Sequence, residues 1–237
     1  MVSRYPGEDA FPCSQGVGNW LQAAPNIETQ VIKDFSLSVI PLYRFRPNVS
    51  HLRNALTQLS ILPEIARNIV REGNGKYIML DQFNNAANVN AHYNTTGPEM
   101  ILEVPQITHF VAGMGTGGTL MGVGKRLKEY KSSIQVIGIE PLPNSKIQGL
   151  RNMKAYTPQI YQEDKLDSKL IIEDDDAAFA LAKDLFTKEG ISVGISSGAA
   201  LWGAIQVAKT IKSGTIVTLF PDRGDKYLST SLFSSTI

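Results

Sequence analysis

Apart from Met114, the run Gly113-Met114-Gly115-Thr116-Gly117-Gly118-Thr119 carries no side chain except those of two threonines, with their hydroxyls. A loop of that kind lets several backbone N–H groups converge on one anion, and the hydroxyls of Thr116 and Thr119 add donors. Taken alone the run supports three readings. Gly113, Gly115 and Gly118 satisfy the dinucleotide pattern G-x-G-x-x-G, and Glu140 stands close to where a ribose-binding carboxylate is expected. A cofactor carrying a phosphate monoester fits the same glycines, and so does a purely structural strand-to-helix turn.

The flanking elements favour a working anion site. Residues 107–112 are β-branched and aromatic and predict a strand, while Leu120, Val123, Gly124 and Leu127 recur at helical spacing and predict a helix over 118–130. The loop therefore joins the carboxyl end of a strand to the positive end of a helix dipole. A second strand is expected over 134–140, then a polar stretch over 141–175, and then a helix over 176–189 with an acidic start, stopped by Gly190. Ser196-Ser197-Gly198 forms a second candidate turn ahead of a helix over 199–211, and 215–220 reads as a last strand. Strands alternating with helices in this way predict an α/β fold with a parallel sheet.

Bulk properties narrow the function classes. The chain has 237 residues, 43% of them hydrophobic, with 23 basic and 22 acidic side chains for a formal charge of +1. A charge so nearly balanced, with no basic cluster interleaved with aromatics, speaks against a nucleic-acid partner. No apolar run is long enough to span a bilayer, and the opening residues carry acids and a proline where a signal peptide needs an apolar stretch, so a cytoplasmic protein is expected. One cysteine, Cys13, and three histidines leave neither a disulfide framework nor a zinc ligand set, and Cys13 reads as an inert thiol.

The segment from Lys76 to Glu99, with Asp81-Gln82-Phe83-Asn84-Asn85 and His92-Tyr93-Asn94-Thr95-Thr96-Gly97-Pro98-Glu99, closely resembles a signature of the cysteine synthases. Gly115-Thr116-Gly117-Gly118-Thr119, Gly194-Ile195-Ser196-Ser197-Gly198 and Asp222-Arg223-Gly224-Asp225-Lys226-Tyr227-Leu228-Ser229-Thr230 follow in that family's order, the last resembling the B type. The likeness covers about residues 63 to 233. It implies a pyridoxal 5'-phosphate (PLP) enzyme of fold type II, like the tryptophan synthase β chain. It further implies synthesis of L-cysteine, or S-sulfocysteine, from O-acetylserine and sulfide or thiosulfate, in a homodimer. By the same resemblance the loop from Gly115 to Thr119 holds the cofactor phosphate, and Ser196 partners the pyridine nitrogen. Gln82 helps hold the substrate carboxylate, and Arg151 stands where B-type enzymes carry an arginine associated with larger or charged substrates. Ser196 or Ser197 could instead cap a helix, and His92 reads as structural rather than acid-base.

Cysteine synthases also carry an early Asn-Pro-x-Gly-Ser-x-Lys-Asp-Arg pattern, whose lysine joins covalently to the cofactor, and a later Ser-Gly-Asn-Thr-Gly loop. Neither is recognisable here; the nearest echo is Val31-Ile32-Lys33-Asp34, which makes Lys33 the candidate amine. Residues 1–62 are thus expected to be an unmatched region, interrupted by prolines, and 63–237 the PLP-binding α/β domain, with part of the small domain near 63–100. The resemblance implies a fold incomplete at its N-terminal end. Two alternatives stand beside an active enzyme: a damaged or frameshifted relative, and a non-catalytic module that keeps phosphate, PLP or protein binding.

Overall fold

The computed structural model describes residues 27–32 as backbone and residues 61–233, with side chains from 64 onward. Lys33 and Cys13 lie outside the described residues. In chain order the elements are β1 (Ile27–Ile32), α1 (Ile61–Glu72), α2 (Ala86–Asn94), α3 (Thr96–Glu103), β2 (His109–Gly113), α4 (Gly118–Tyr130), β3 (Gln135–Pro141), β4 (Ser168–Ile172), α5 (Asp175–Glu189), α6 (Ile195–Thr210) and β5 (Gly214–Leu219). The five strands form one sheet in the order β1-β5-β2-β3-β4, and every pairing between them is parallel.

Alternation along the central strands sorts side chains onto two cores, as a sheet covered on both faces requires. Val111, Ile137, Ile139 and Ile216 meet Ala178, Ala182 and Leu185 of α5 and Ala199, Ala204 and Val207 of α6. Their neighbours Phe110, Ala112, Val136 and Val217 turn to the opposite face and meet Met100, Leu120, Val123 and Leu127 of α3 and α4. The result is a three-layer α/β sandwich, the fold class expected from the sequence.

The loop-bearing unit matches its sequence reading closely. The helix after the glycine loop spans Gly118–Tyr130, and β2 and β3 fall within two residues of the expected strands. Asp174 caps α5, its side chain accepting from the Asp176 N–H at 2.9 Å, and Gly190 ends that helix in the left-handed region with φ 69°.

Two expectations are corrected. The helix expected from residue 199 begins at Ile195, four residues earlier, so Ser196, Ser197 and Gly198 sit in its first turn rather than in a loop before it. The reason is packing: all ten residues from Ile195 to Ala208 that are buried in this helix include both serines, and Gly198 lets α6 press its backbone against the Ala178 carbonyl of α5. The polar stretch over 141–175 also conceals β4, an edge strand whose side chains are mostly part-exposed and which pairs Ile137 through Pro141 of β3 with Ser168 through Ile172. Its alternation is short and follows a charged run, so periodicity gives it no signal.

The topology points to one end of the sheet. From β2 the chain passes through α4 to β3 and β4, then returns on the other side of β2 as β5, so strand order reverses at β2. Ligands in open parallel sheets bind beyond the carboxyl ends of strands at such a reversal. The glycine loop leaves β2 at that end, and β1, registered Ile32 against Leu219, ends there too.

Candidate functional site

The glycine loop is held in shape by close approaches that only glycine permits. Gly117, the N-cap of α4, lies at φ 85°, a conformation costly for residues with a side chain. A Cβ on Gly115 would stand 2.6 Å from the Gly149 carbonyl oxygen, and one on Gly118 would strike the Asn88 side chain. The backbone at Gly149 and the side chain of Asn88 thus close on the loop from two separate chain segments.

Asn88, on α2, ties the loop to the segment before that helix. Its Nδ2 donates to the Gln82 carbonyl at 2.8 Å and to Thr116 Oγ1 at 3.0 Å. Thr116 Oγ1 also accepts from the Gly118 N–H at 3.2 Å. Both lone pairs of that hydroxyl are then engaged, which leaves its proton to donate to whatever occupies the loop. N–H groups of the first turn of α4 have no carbonyl partner within the helix and add to the same positive pole.

Thr119 has a different backing. Its Oγ1 stands 3.2 Å from His92 Nε2, while His92 Nδ1 stands 2.9 Å from the buried Thr96 Oγ1. Burial lowers the His92 pKa from 6.5, so the ring is neutral at neutral pH.

The second half of the site is joined to the first through Gly149, at φ 93°. Its carbonyl meets Gly115, and its Cα faces Ser196, whose Oγ would lie 3.4 Å from a Cβ placed there. Ser196 is 3% exposed, in the first turn of α6. Neither serine caps that helix, because the N-cap is Gly194, so the capping alternative falls away. Ser197 Oγ is buried with no hydrogen-bond partner among the described residues.

Arg151 and Gln82 border the same loop. The Arg151 N–H donates to the Met114 carbonyl at 2.7 Å, and its guanidinium lies 4.3 Å from the centre of the Phe83 ring and 5.6 Å from that of Tyr156. It is thereby held against Phe83, the residue after Gln82 in the chain, and desolvation lowers its pKa. The Gln82 side chain is exposed, while its backbone is held by Asn88.

Several residues without a role in the sequence reading shape this site. Tyr161 packs its ring 3.1 Å from where a Gly117 Cβ would sit, and burial pushes its phenol up to about 12. Asp222 accepts from the Tyr227 hydroxyl at 2.6 Å and, through its backbone carbonyl, from the Gly194 N–H at 3.1 Å, bracing the start of α6. Its pKa is raised, chiefly by burial. Asn88 lies inside the quoted signature, but its bond to Thr116 spans 28 residues and no local pattern exposes it.

Glu140 is fully employed elsewhere. It is 2% exposed, accepts from the Met153 N–H at 2.6 Å, and pairs with Lys169 at 2.8 Å. With both carboxylate oxygens committed, it has no free edge for a ribose. The dinucleotide reading of the glycine loop loses its acid.

The cradle therefore fits a phosphate monoester attached to a ring: a glycine loop with a donating hydroxyl, and a buried serine on the far side of Gly149. Comparison with known proteins identifies the chain's relatives. The family described as "Pyridoxal-phosphate dependent enzyme" matches residues 54–222. A cysteine synthase of Aquifex aeolicus is 48% identical over 175 residues, covering 71% of this chain and 53% of the relative. Cysteine synthase B of Salmonella typhimurium is 41% identical over 172 residues, covering 72% and 56% respectively. The crystal structure of a cysteine synthase from Entamoeba histolytica superposes with a TM-score of 0.67 at 30% identity, covering 73% of this chain and 54% of that one. The chain spans about half the length of the relatives it matches.

Proposed function

Since the chain belongs to the pyridoxal-phosphate-dependent enzyme family and is cysteine synthase-like within it, we propose that it binds PLP between the glycine loop and α6 and catalyses β-replacement on an O-acylated serine. The product is L-cysteine or S-sulfocysteine, with sulfide or thiosulfate as the sulfur donor, in a cytoplasmic homodimer. The observation that carries this reading is the contact of Gly149 with both Gly115 and Ser196, which sets a phosphate cradle and a buried hydroxyl on the two sides of one backbone turn. No helix of the described residues is long and apolar enough to cross a membrane.

What PLP would supply when bound is an electron sink at the substrate α-carbon, so that a proton can leave there and the acyl ester's carboxylate can leave from the β-carbon with the electrons of the Cβ–O bond. The chain's residues do the rest. Thr116 and the loop N–H groups anchor the phosphate, and Thr119 completes the cradle. Ser196 offers the ring nitrogen a neutral hydroxyl, which moderates the sink and so suits elimination rather than deeper carbanion chemistry. Gln82 binds the substrate carboxylate. Arg151, stacked on Phe83, presents a fixed cation to a charged donor such as thiosulfate.

Lys33 is the proposed amine, both as covalent partner of the cofactor and as the base that takes the α-proton. In support, Lys33 follows directly in sequence on β1, whose last residue lies at the same carboxyl end of the sheet as the glycine loop. The test is borohydride reduction of the chain mixed with PLP, followed by peptide mass spectrometry. A reduced adduct on the Lys33 peptide, lost in Lys33→Ala, is expected. The absence of any adduct while a phosphate analogue still binds would leave the chain a non-catalytic binding module.

A further inference from the structure

We propose that Tyr156 is a positioning residue for Arg151: its ring and that of Phe83 meet at a right angle and hold the guanidinium in the corner between them, so that the cation is presented to a sulfur donor carrying an oxyanion, such as thiosulfate. The inference rests on the reading of Arg151 as the cation for a charged donor and adds what fixes its direction.

Arg151 is a half-buried cation without a counter-ion. Among the described residues it joins no ion pair, and its guanidinium donates no hydrogen bond. Its backbone is pinned beside the glycine loop by the bond to the Met114 carbonyl, which leaves only the side chain to be placed. Desolvation lowers its pKa, and an anion that replaces the lost water restores what burial took away. An unpaired guanidinium at this depth therefore has five donors to offer a ligand.

Two rings from distant segments place it. The guanidinium lies 4.3 Å from the centre of Phe83 and 5.6 Å from that of Tyr156, and the rings themselves stand 5.6 Å apart at 85°. A cation over one face can still swing about it, whereas a second face at a right angle closes that freedom. Each ring is anchored in turn. Phe83 lies in the turn that starts at Asp81, whose φ is 43° and whose carbonyl accepts from the N–H groups of Asn84 and Asn85 at 2.9 Å. The Tyr156 N–H donates to the Asn152 carbonyl at 3.3 Å, and its hydroxyl lies within reach of Arg67 of α1, whose pKa it raises and which pairs with Asp81 at 3.3 Å. The Gln159 N–H donates to Asn84 Oδ1 at 3.4 Å and so joins the two segments directly. A long side chain that would otherwise spread over many rotamers is thereby held to one direction before any anion arrives.

The test follows the Arg151 Nε–H resonance in the 15N-labelled full chain, identified by its loss in Arg151→Met. The glycine loop is first filled with 4-deoxypyridoxine 5'-phosphate, an analogue that lacks the aldehyde and so binds independently of any lysine, because thiosulfate would otherwise compete for the same cradle. In the parent the resonance should be displaced by the ring currents of two aromatic faces and should move again on titration with thiosulfate. Tyr156→Leu, which keeps the bulk and removes the ring, should bring the resonance toward that of a free arginine and weaken thiosulfate about tenfold, the scale of one cation–π contact. Tyr156→Phe restores the face and should keep the parental resonance and most of the affinity. Equal thiosulfate affinity in Tyr156→Leu would overturn the inference. So would a parent resonance already at the free-arginine position, a result that needs no variant to fold. A resonance displaced as expected but unmoved by thiosulfate would overturn the donor reading of Arg151 on which the inference rests.

Discussion

Replacing Gly115 by alanine perturbs the cradle at its tightest point. The new Cβ would lie 2.6 Å from the Gly149 carbonyl oxygen, backbone against backbone, with no flexible side chain to yield. Restoring an ordinary contact of 3.4 Å requires the two segments to part by about 0.8 Å. They cannot slide apart freely, because one residue away the Arg151 N–H is bonded to the Met114 carbonyl at 2.7 Å. Either that bond is lost or the loop deforms, and overpacking of this kind costs about 1 to 3 kcal/mol of stability. A shift of about 0.8 Å also takes a well-made N–H···O bond beyond its useful range. Losing one such bond to the phosphate should weaken 4-deoxypyridoxine 5'-phosphate about ten- to a hundredfold. Calorimetric titration gives the affinity, and thermal melting followed by circular dichroism gives the stability. Gly190→Ala is a contrasting control: it strains the backbone at φ 69° but meets nothing within 4 Å, so it should cost about 1 kcal/mol of stability and leave affinity intact. Parental affinity in Gly115→Ala would refute the claim that this backbone approach shapes the phosphate site.

Other consequences are as direct. Tyr161→Phe removes a buried hydroxyl with no partner among the described residues, so the melting temperature should hold or rise, whereas Tyr161→Ala should cost about 3 kcal/mol by opening a cavity beside Gly117. Lys169→Met leaves the Glu140 carboxylate buried without its cation and should destabilise the chain by about 2 to 4 kcal/mol in urea titration, while Glu140→Gln in the same background should recover part of the loss. His92 and His109 both have pKa values lowered by burial, so the unfolded chain takes up protons at these rings first. Stability present above pH 6.5 should therefore drain away as pH falls below it, and the urea midpoint of His92→Gln should fall less steeply; an equal slope in both chains would contradict the assignment.

Legibility in the sequence followed the range of the interactions. The glycine loop and α4 were readable because a strand pattern, four glycines and a helical stripe lie within two dozen consecutive residues. The start of α6 was misplaced because serines and glycine resemble a turn, yet here their small size lets the helix pack closely against α5. Asn88, Gly149 and Tyr161 could not be assigned by pattern, since their partners Thr116, Gly115 and Gly117 lie 28 or more residues away. Glu140 illustrates the converse. Its spacing from the glycines suggested a ribose ligand, and only its bonds to Met153 and Lys169 show the carboxylate already occupied.

The most direct test of the central claim is to observe the cradle's own N–H groups. In the 15N-labelled chain, adding 4-deoxypyridoxine 5'-phosphate should shift the amide resonances of Gly117, Gly118 and Thr119 most strongly, with Ser196 also moving, while the dephosphorylated ring should leave the three loop amides near their free positions. Loop amides that stay unmoved by the phosphate compound, or that move equally with both, would contradict the assignment of residues 115–119 as the PLP phosphate site.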